Sequence, residues 1–275
     1  MDHARDVTER RAAGIRLLEA EPELALGLTP EQEAQARRHV VAALESLPPG
    51  PWEPEPSYGT DAGFLGLLVI DGMIARDVEL GGRRCSELLG PGDVLRPTDY
   101  DDIDMASVPS EAAWTVLEPT RVAILDRRFA AVACRWPELV ARLIGRTLRR
   151  SRWLAILLTI SSMPRVDARV HALLWHLADR WGRVTLDGVV VPVRLTHDMI
   201  GRLVGAHRPS VTTALSELTR AGRISRQTDG WLLRGNPPET IDPTPRSQTS
   251  YRALDALTVV ASFPSASALL NGLLA

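Results

Sequence analysis

The sequence predicts an α+β chain: N-terminal helices, a β jelly roll, one long central helix, then two short helices with a β wing. Three observations carry this. Residues 64–125 break into short apolar runs separated by turn signals. Residues 137–160 hold apolar residues at three- and four-residue steps after Pro137-Glu138. Residues 196–221 carry two shorter helical patterns that meet at Gly205.

Residues 14–47 read as helices. Thr29-Pro30-Glu31-Gln32 is a start signal: Thr caps, Pro suits the first turn, and Gln stands at capping-box distance. This helix is expected to run to about Leu47, where Pro48-Pro49-Gly50-Pro51 stops it. The first segment is therefore a helical extension over 1–50. The β-rich part follows over 51–128, with runs FLGLLVI and MIARDVEL separated by a turn at Asp71-Gly72. Gly81-Gly82, Gly90-Pro91-Gly92-Asp93, AAWTVLEP and RVAILD continue the pattern. Asp99-Tyr100-Asp101-Asp102-Ile103-Asp104 lacks the Gly-plus-Glu spacing of a calcium loop and reads as a solvated loop.

The long helix lies within 129–162. Val140, Leu143, Thr147, Ser151, Leu154 and Leu158 form a seam wide enough for a core face and a partner helix. Arg142, Arg146, Arg149, Arg150 and Arg152 fill the intervening positions and read first as a solvated flank; the alternative is that some point into the β domain and hold an anion. Met163-Pro164 ends the helix. Over 163–236, a helix at 165–181 precedes a hairpin turning at Asp187-Gly188. His171 and His176 are five apart, off one face, so no metal pair is expected there. The remaining residues, 237–275, form a tail, in which 258–275 reads as a short apolar helix or strand.

Charge divides the chain. Residues 1–128 hold 13 Arg against 24 acids, net −11, whereas 129–162 hold 6 Arg and 1 acid, net +5. Residues 163–236, with 11 Arg and 6 acids, are again net +5, although the whole chain is only −2. A polyanion partner is therefore expected for the back half alone. All 32 basic residues are Arg, so each cationic contact is a planar fork suited to phosphate and guanine edges.

Several classes are disfavoured. No apolar run reaches the roughly 18 residues of a membrane span. MDHARDVTERR has no apolar stretch of a secretory signal, so a cytoplasmic protein is expected. Two cysteines, Cys85 and Cys134, exclude a four-thiolate iron–sulfur or zinc site built by one chain. No Ser-His-Asp order, Walker loop or metal-helix motif stands out, so no enzyme, metal or cofactor is expected.

The stretch IGRLVGAHRPSVTTAL (200–215) carries the chemistry. Thr196 can cap the first helix, and Gly201 falls where one helix must cross another closely. Gly205 falls where the turn needs a positive φ. Pro209 pushes Arg208 out of helical conformation, making Arg208 the cap and Pro209 the first helical residue. With inward Val211, Ala214, Leu215 and Leu218, and a wing at 224–234, this is a winged helix-turn-helix. Arg208 at the second helix's tip can donate to guanine O6 and N7, and Thr213 and Pro209 can touch a thymine methyl. Ser210, Thr212, His197 and His207 can bond phosphates. An alternative is a small-molecule or protein-binding scaffold whose winged module mediates protein interaction and reads no DNA.

The run V-D-A-R-V at 166–170, L-T-H-D-M-I-G-R-L-V-G-A-H-R-P-S-V-T-T-A-L-S-E-L at 195–218 and G-R-I-S at 222–225 resembles the Crp/Fnr transcription regulators. The likeness is specific over 166–234 and loose over 58–160. It implies a homodimer paired through the central helices, a cyclic-nucleotide-binding-like sensory jelly roll, and a pseudo-palindromic double-stranded DNA site. RNA polymerase is a candidate further partner. Departures matter too. Where cyclic-AMP-binding members continue into Gly-Glu and Arg-Ser/Thr-Ala, Gly92-Asp93 leads here to Val-Leu-Arg-Pro-Thr. Cyclic-AMP binding through the usual cassette is therefore not expected, and an unknown anionic effector would fall to Arg96, Arg149 and Arg150. The family prototype carries Glu where Pro209 stands and Arg where Thr213 stands, so a different half-site is expected.

Overall fold

The computed structural model describes residues 13–56, 58, 63–97 and 111–238. The acid cluster 99–104 and the apolar stretch 258–275 lie outside the described residues. Contacts divide the described residues into two units, one within 13–76 and 88–150, the other within 77–87 and 151–238.

The first unit is built on an antiparallel sheet, as the β-rich pattern predicts. The sheet's strands are β1 (Ala13–Arg16), β2 (Val41–Leu47), β3 (Gly50–Trp52), β4 (Gly66–Leu80), β5 (Arg83–Leu89), β6 (Val94–Leu95) and β7 (Glu111–Leu125), of which the β4–β5 end, Asp77–Glu87, is counted with the second unit. The order is β1-β2-β7-β4-β5, with β3 on β7 and β6 on β4. Before β2 come α1 (Leu17–Ala20), a 3-10 turn at Pro22–Ala25, and α2 (Pro30–His39).

The capping box of α2 forms as its residues predict: the Gln32 N–H donates to Thr29 Oγ1, and the Thr29 N–H donates to Gln32 Oε1. The predicted helix to Leu47 is corrected, because α2 ends at His39 and residues 41–47 are a strand. The reason is pairing. Val40-Val41 favours extended backbone, and β2 then lies between β1 and β7, with Ala42, Glu45 and Leu47 buried.

A second correction concerns Asp71-Gly72. No turn forms there; β4 runs through as one 15-residue strand. Gly72 has φ +85°, and a Cβ on it would meet Thr120 Oγ1 and the Pro119 carbonyl within 2.5 Å. The Met73 N–H donates instead to Thr120 Oγ1 at 3.0 Å, and Arg121 ion-pairs with Asp71. Here β4 bends against β7, which needs a residue without a side chain. Strand β7 is likewise continuous through Pro119, pairing β2 with Thr120–Ile124 and β3 with Trp114–Val116.

Two cores result. One joins Leu17, Leu18, Phe129, Trp136, Leu139 and Leu143. The other is aromatic: Trp52 meets Trp114 edge-on at 5.8 Å, and Tyr58 stacks on Phe64 at 5.8 Å. Tyr58 also donates to the buried carboxylate of Glu45.

After α3 (Arg127–Ala133), capped by Asp126, comes α4 (Pro137–Ser161). The predicted seam of α4 divides, with Leu143 buried and Val140 packed against the core while its other members are half-buried or exposed. Leu139, Leu143, Arg146, Leu157 and Ile160 are buried, whereas Thr147 and Leu158 face out. A separate exposed apolar stripe runs through Ile144, Leu148, Ala155 and Leu158. Because α4 is apolar on two sides, periodicity alone merges them.

The second unit contains α5 (Val166–Trp181), α6 (His197–Val204), α7 (Arg208–Arg220) and a four-stranded sheet. The sheet's strands are β8 (Arg183–Thr185), β9 (Gly188–Val191), β10 (Ile224–Gln227) and β11 (Gly230–Leu233), ordered β10-β11-β9-β8. Val170, Leu173, Leu174 and Leu177 of α5 are buried, as their spacing predicts. His171 and His176 join them: His171 Nε2 accepts from Trp175 Nε1, and His176 stacks on Trp153. Among the described residues no group of His, Cys, Asp or Glu could hold a metal ion, and no helix is long and apolar enough to cross a membrane.

Candidate nucleic-acid interface

The two helices of the motif are set by local chemistry. Thr196 caps α6 by accepting the Met199 N–H at 3.1 Å. Gly205 ends it with φ +63° and ψ 41°, the left-handed geometry that the turn requires. Gly201 has a different role from the predicted helix crossing. A Cβ there would meet the Ala206 carbonyl at 2.6 Å, so Gly201 makes room for the turn's own backbone. The Ala206 N–H also donates to the Gly201 carbonyl, at 2.9 Å.

The start of α7 is corrected by one residue. His207, with φ −74° and ψ 145°, is the cap, and Arg208-Pro209 opens the helix. The first bond along α7 joins the Val211 N–H to the His207 carbonyl, so an N–H at 209 has no partner to lose. Val211, Ala214, Leu215 and Leu218 are buried, and they hold α7 against the helical core.

That burial turns the opposite face outward. His207, Arg208, Pro209, Ser210, Thr212 and Thr213 are all exposed, and His197 is half-buried beside them. His197 Nδ1 lies 2.9 Å from Thr212 Oγ1, which donates to the Arg208 carbonyl at 3.0 Å. Thr213 Oγ1 donates to the Pro209 carbonyl at 3.2 Å, leaving its methyl as the free contact group. The wing packs behind this face: Trp231 is buried, Arg226 lies over its ring at 4.7 Å, and Arg226 donates to the Leu195 carbonyl.

Residues 168–234 match the model of the Crp-like helix-turn-helix domain. Those residues form a Crp-like helix-turn-helix domain. The regulatory protein CysR of Synechococcus elongatus is 33% identical over 102 residues, 36% of this chain and 48% of that protein. The chain thus spans about half the length of this curated relative. A cyclic nucleotide-binding domain containing protein from Listeria monocytogenes superposes with TM-score 0.57 at 15% identity, over 79% of this chain and 97% of that one. FixK2 from Bradyrhizobium japonicum gives TM-score 0.51 at 22% identity, over 70% and 93%. These two likenesses show a shared fold.

Other charged residues of the chain are less legible in the sequence. Arg96 directly follows β6 and is exposed, Arg149 is exposed, and Arg150 is half-buried on α4. The α4 cation that enters the β unit is Arg146. It is 5% exposed, with Nη1 donating to the Gly92 carbonyl at 3.1 Å and Nη2 to Glu21 at 2.7 Å. Arg202 on α6 reaches Asp77 Oδ2 at 2.7 Å, and Asp77 is fixed in turn by the Ser86 hydroxyl. Nothing in their spacing announces this pair, which are 125 residues apart. Arg165, ahead of α5, forks onto both oxygens of Asp167 at 3.0 and 2.8 Å. Hydrogen bonds from Arg165 hold the Asp167 carboxyl below its ordinary range.

Proposed function

We propose that this Crp/Fnr-type chain is a cytoplasmic, homodimeric transcription regulator that reads a pseudo-palindromic DNA site. The observation that carries the reading is the outward face of α7. It places Arg208 at a helix tip beside exposed Pro209, Ser210 and Thr213, with no buried work for any of them. A short face of one guanidinium, hydroxyls and methyls suits direct readout in a major groove. The net +5 charge of residues 163–236 supports a polyanion partner.

In this reading the stretch 163–236 binds DNA, 129–162 pairs two copies, and 51–128 is the sensory part, whose sheet is completed by β1 and β2 from the first fifty residues. The exposed stripe of α4 supports the pairing, since Ile144, Leu148 and Leu158 are 55%, 59% and 73% exposed. A dimer presents two α7 helices about one helical turn apart on DNA. RNA polymerase would be the downstream partner of a regulator so placed.

The β unit takes no cyclic AMP by the usual cassette in this reading. Trp52, Tyr58, Phe64 and Trp114 pack its core, and the buried Arg146 already holds a carboxylate of its own chain. An effector of this domain would be an anion met by Arg96, Arg149 or Arg150 outside that aromatic core. The test is footprinting on genomic fragments with the full chain. Protection of discrete two-fold sites supports the reading, and equal affinity for all fragments and random DNA overturns it.

A further inference from the structure

We propose that Arg165 is a second contact to the DNA backbone, set beside the recognition face and restrained by Asp167; this rests on the reading of α7 as a DNA-reading helix. A cleft of about 330 Å³ separates Arg165, Val166 and Asp167 on one wall from Ser210, Thr213 and Glu217 on the other. One wall is the face assigned to base reading, so the other wall is its immediate flank.

Dimensions decide what the flank meets. A helix with its side chains is about 10–12 Å across, and the major groove is about 12 Å wide. A helix in the groove therefore fills it, and the residues beside it rest on the phosphate rails. Arg165 has 75% of its side chain exposed on that flank. It also sits on a rigid base. Arg169, one turn further along α5, donates to the carbonyls of Val204 and Gly205 at 3.3 and 3.2 Å, tying α5 to the turn before α7.

The present partner of Arg165 shows which ligand it fits. Its Nε and Nη2 meet the two oxygens of Asp167 as a parallel fork, and a phosphate offers two oxygens in the same arrangement. An exposed pair of this kind is weak and easily exchanged. Asp167 and Glu217 are the two carboxylates lining the cleft, and both would oppose an incoming phosphate. Arg165 thus strengthens backbone binding without reading sequence, while Asp167 holds that binding down.

The test is fluorescence anisotropy with the full chain on two 30-base-pair duplexes, one selected from a random pool and one random, at 50–200 mM salt. Arg165→Ala should weaken both duplexes by the same factor and make the slope of log affinity against log salt shallower by about one. Asp167→Asn should tighten both. An unchanged slope in Arg165→Ala overturns the proposal. If Arg208→Ala loses discrimination between the duplexes while Arg165→Ala matches the native chain, this inference alone fails. If the native chain binds neither duplex, the reading of α7 fails and takes this one with it.

Discussion

Arg146 of the long helix and Glu21 of the N-terminal segment form a buried ion pair, 2.7 Å apart, beneath the Gly90–Asp93 turn. Their side chains are only 5% and 15% exposed, so neither charge is solvated independently of the other. Gly92 completes the arrangement: a Cβ there would lie 3.0 Å from Arg146 Nη1. The cation is therefore bound on one side by a carboxylate and on the other by the carbonyl of Gly92, whose φ of +87° favours glycine.

Removing one partner should cost more than removing both. Arg146→Ala leaves Glu21 without its cation and should destabilise the chain by about 3–5 kcal/mol, whereas Arg146→Met with Glu21→Leu should recover most of that. Urea unfolding of the single and double variants checks this. Equal losses in both would overturn the ion-pair account and point to the bond from Arg146 to the Gly92 carbonyl, which neither variant keeps.

The exposed stripe of α4 predicts an oligomeric effect. In a two-fold dimer Leu148 meets its own copy or a near neighbour, so each substitution acts twice. Leu148→Asp should remove about 3 kcal/mol of apolar burial, raising the dimer Kd by about 100-fold or more. Light scattering across concentration should show a folded monomer. A variant that stays as dimeric as the native chain would place the interface elsewhere.

The sequence made local features legible and non-local ones obscure. Thr29 with Gln32, Thr196 and Gly205 act within a few residues of themselves, so their roles as caps and turn could be read directly. Residues 41–47 could not, because their strand identity comes from β1 and β7 on either side. Gly72 looks like a turn until Thr120 and Pro119 are placed against it. On α4, Arg146 and Arg149 stand about one turn apart on the same side of the helix, so spacing alone does not tell which enters the β unit; Arg146 does, and Arg149 is exposed. The outward face of α7 was legible because its buried residues alternate with it at fixed helical steps.

His176 predicts a pH dependence. Burial, with help from nearby Arg180, pushes its imidazole down to about 4, and it stacks face to face on Trp153. In the unfolded chain the same group titrates near 6.5. Between about pH 4 and 6.5 the unfolded state therefore binds the extra proton, and stability falls as pH falls through that window. The loss is on the order of 3 kcal/mol. His171, also pushed down chiefly by burial, acts in the same direction. Urea midpoints measured from pH 4 to 7 should show this slope, and His176→Phe, which preserves the stack, should flatten it. An unchanged slope in that variant would assign the dependence to other groups.

The tip of α7 gives the sharpest functional test, because two roles for Arg208 predict different patterns. As a base reader, its fork donates to guanine O6 and N7. Arg208→Ala should then cost about 1–3 kcal/mol on the preferred site and relax preference at one base pair per half-site. Arg208→Lys should restore charge but only part of the discrimination, since an ammonium has no fork. As a phosphate contact, Arg208→Ala would weaken every sequence equally and Lys would rescue it. Competition binding against a panel of single-base variants of the preferred site separates the two. The exposed position of Arg208 in the first turn of α7, with Pro209 next to it and the Val211 N–H already bonded behind it, favours the first.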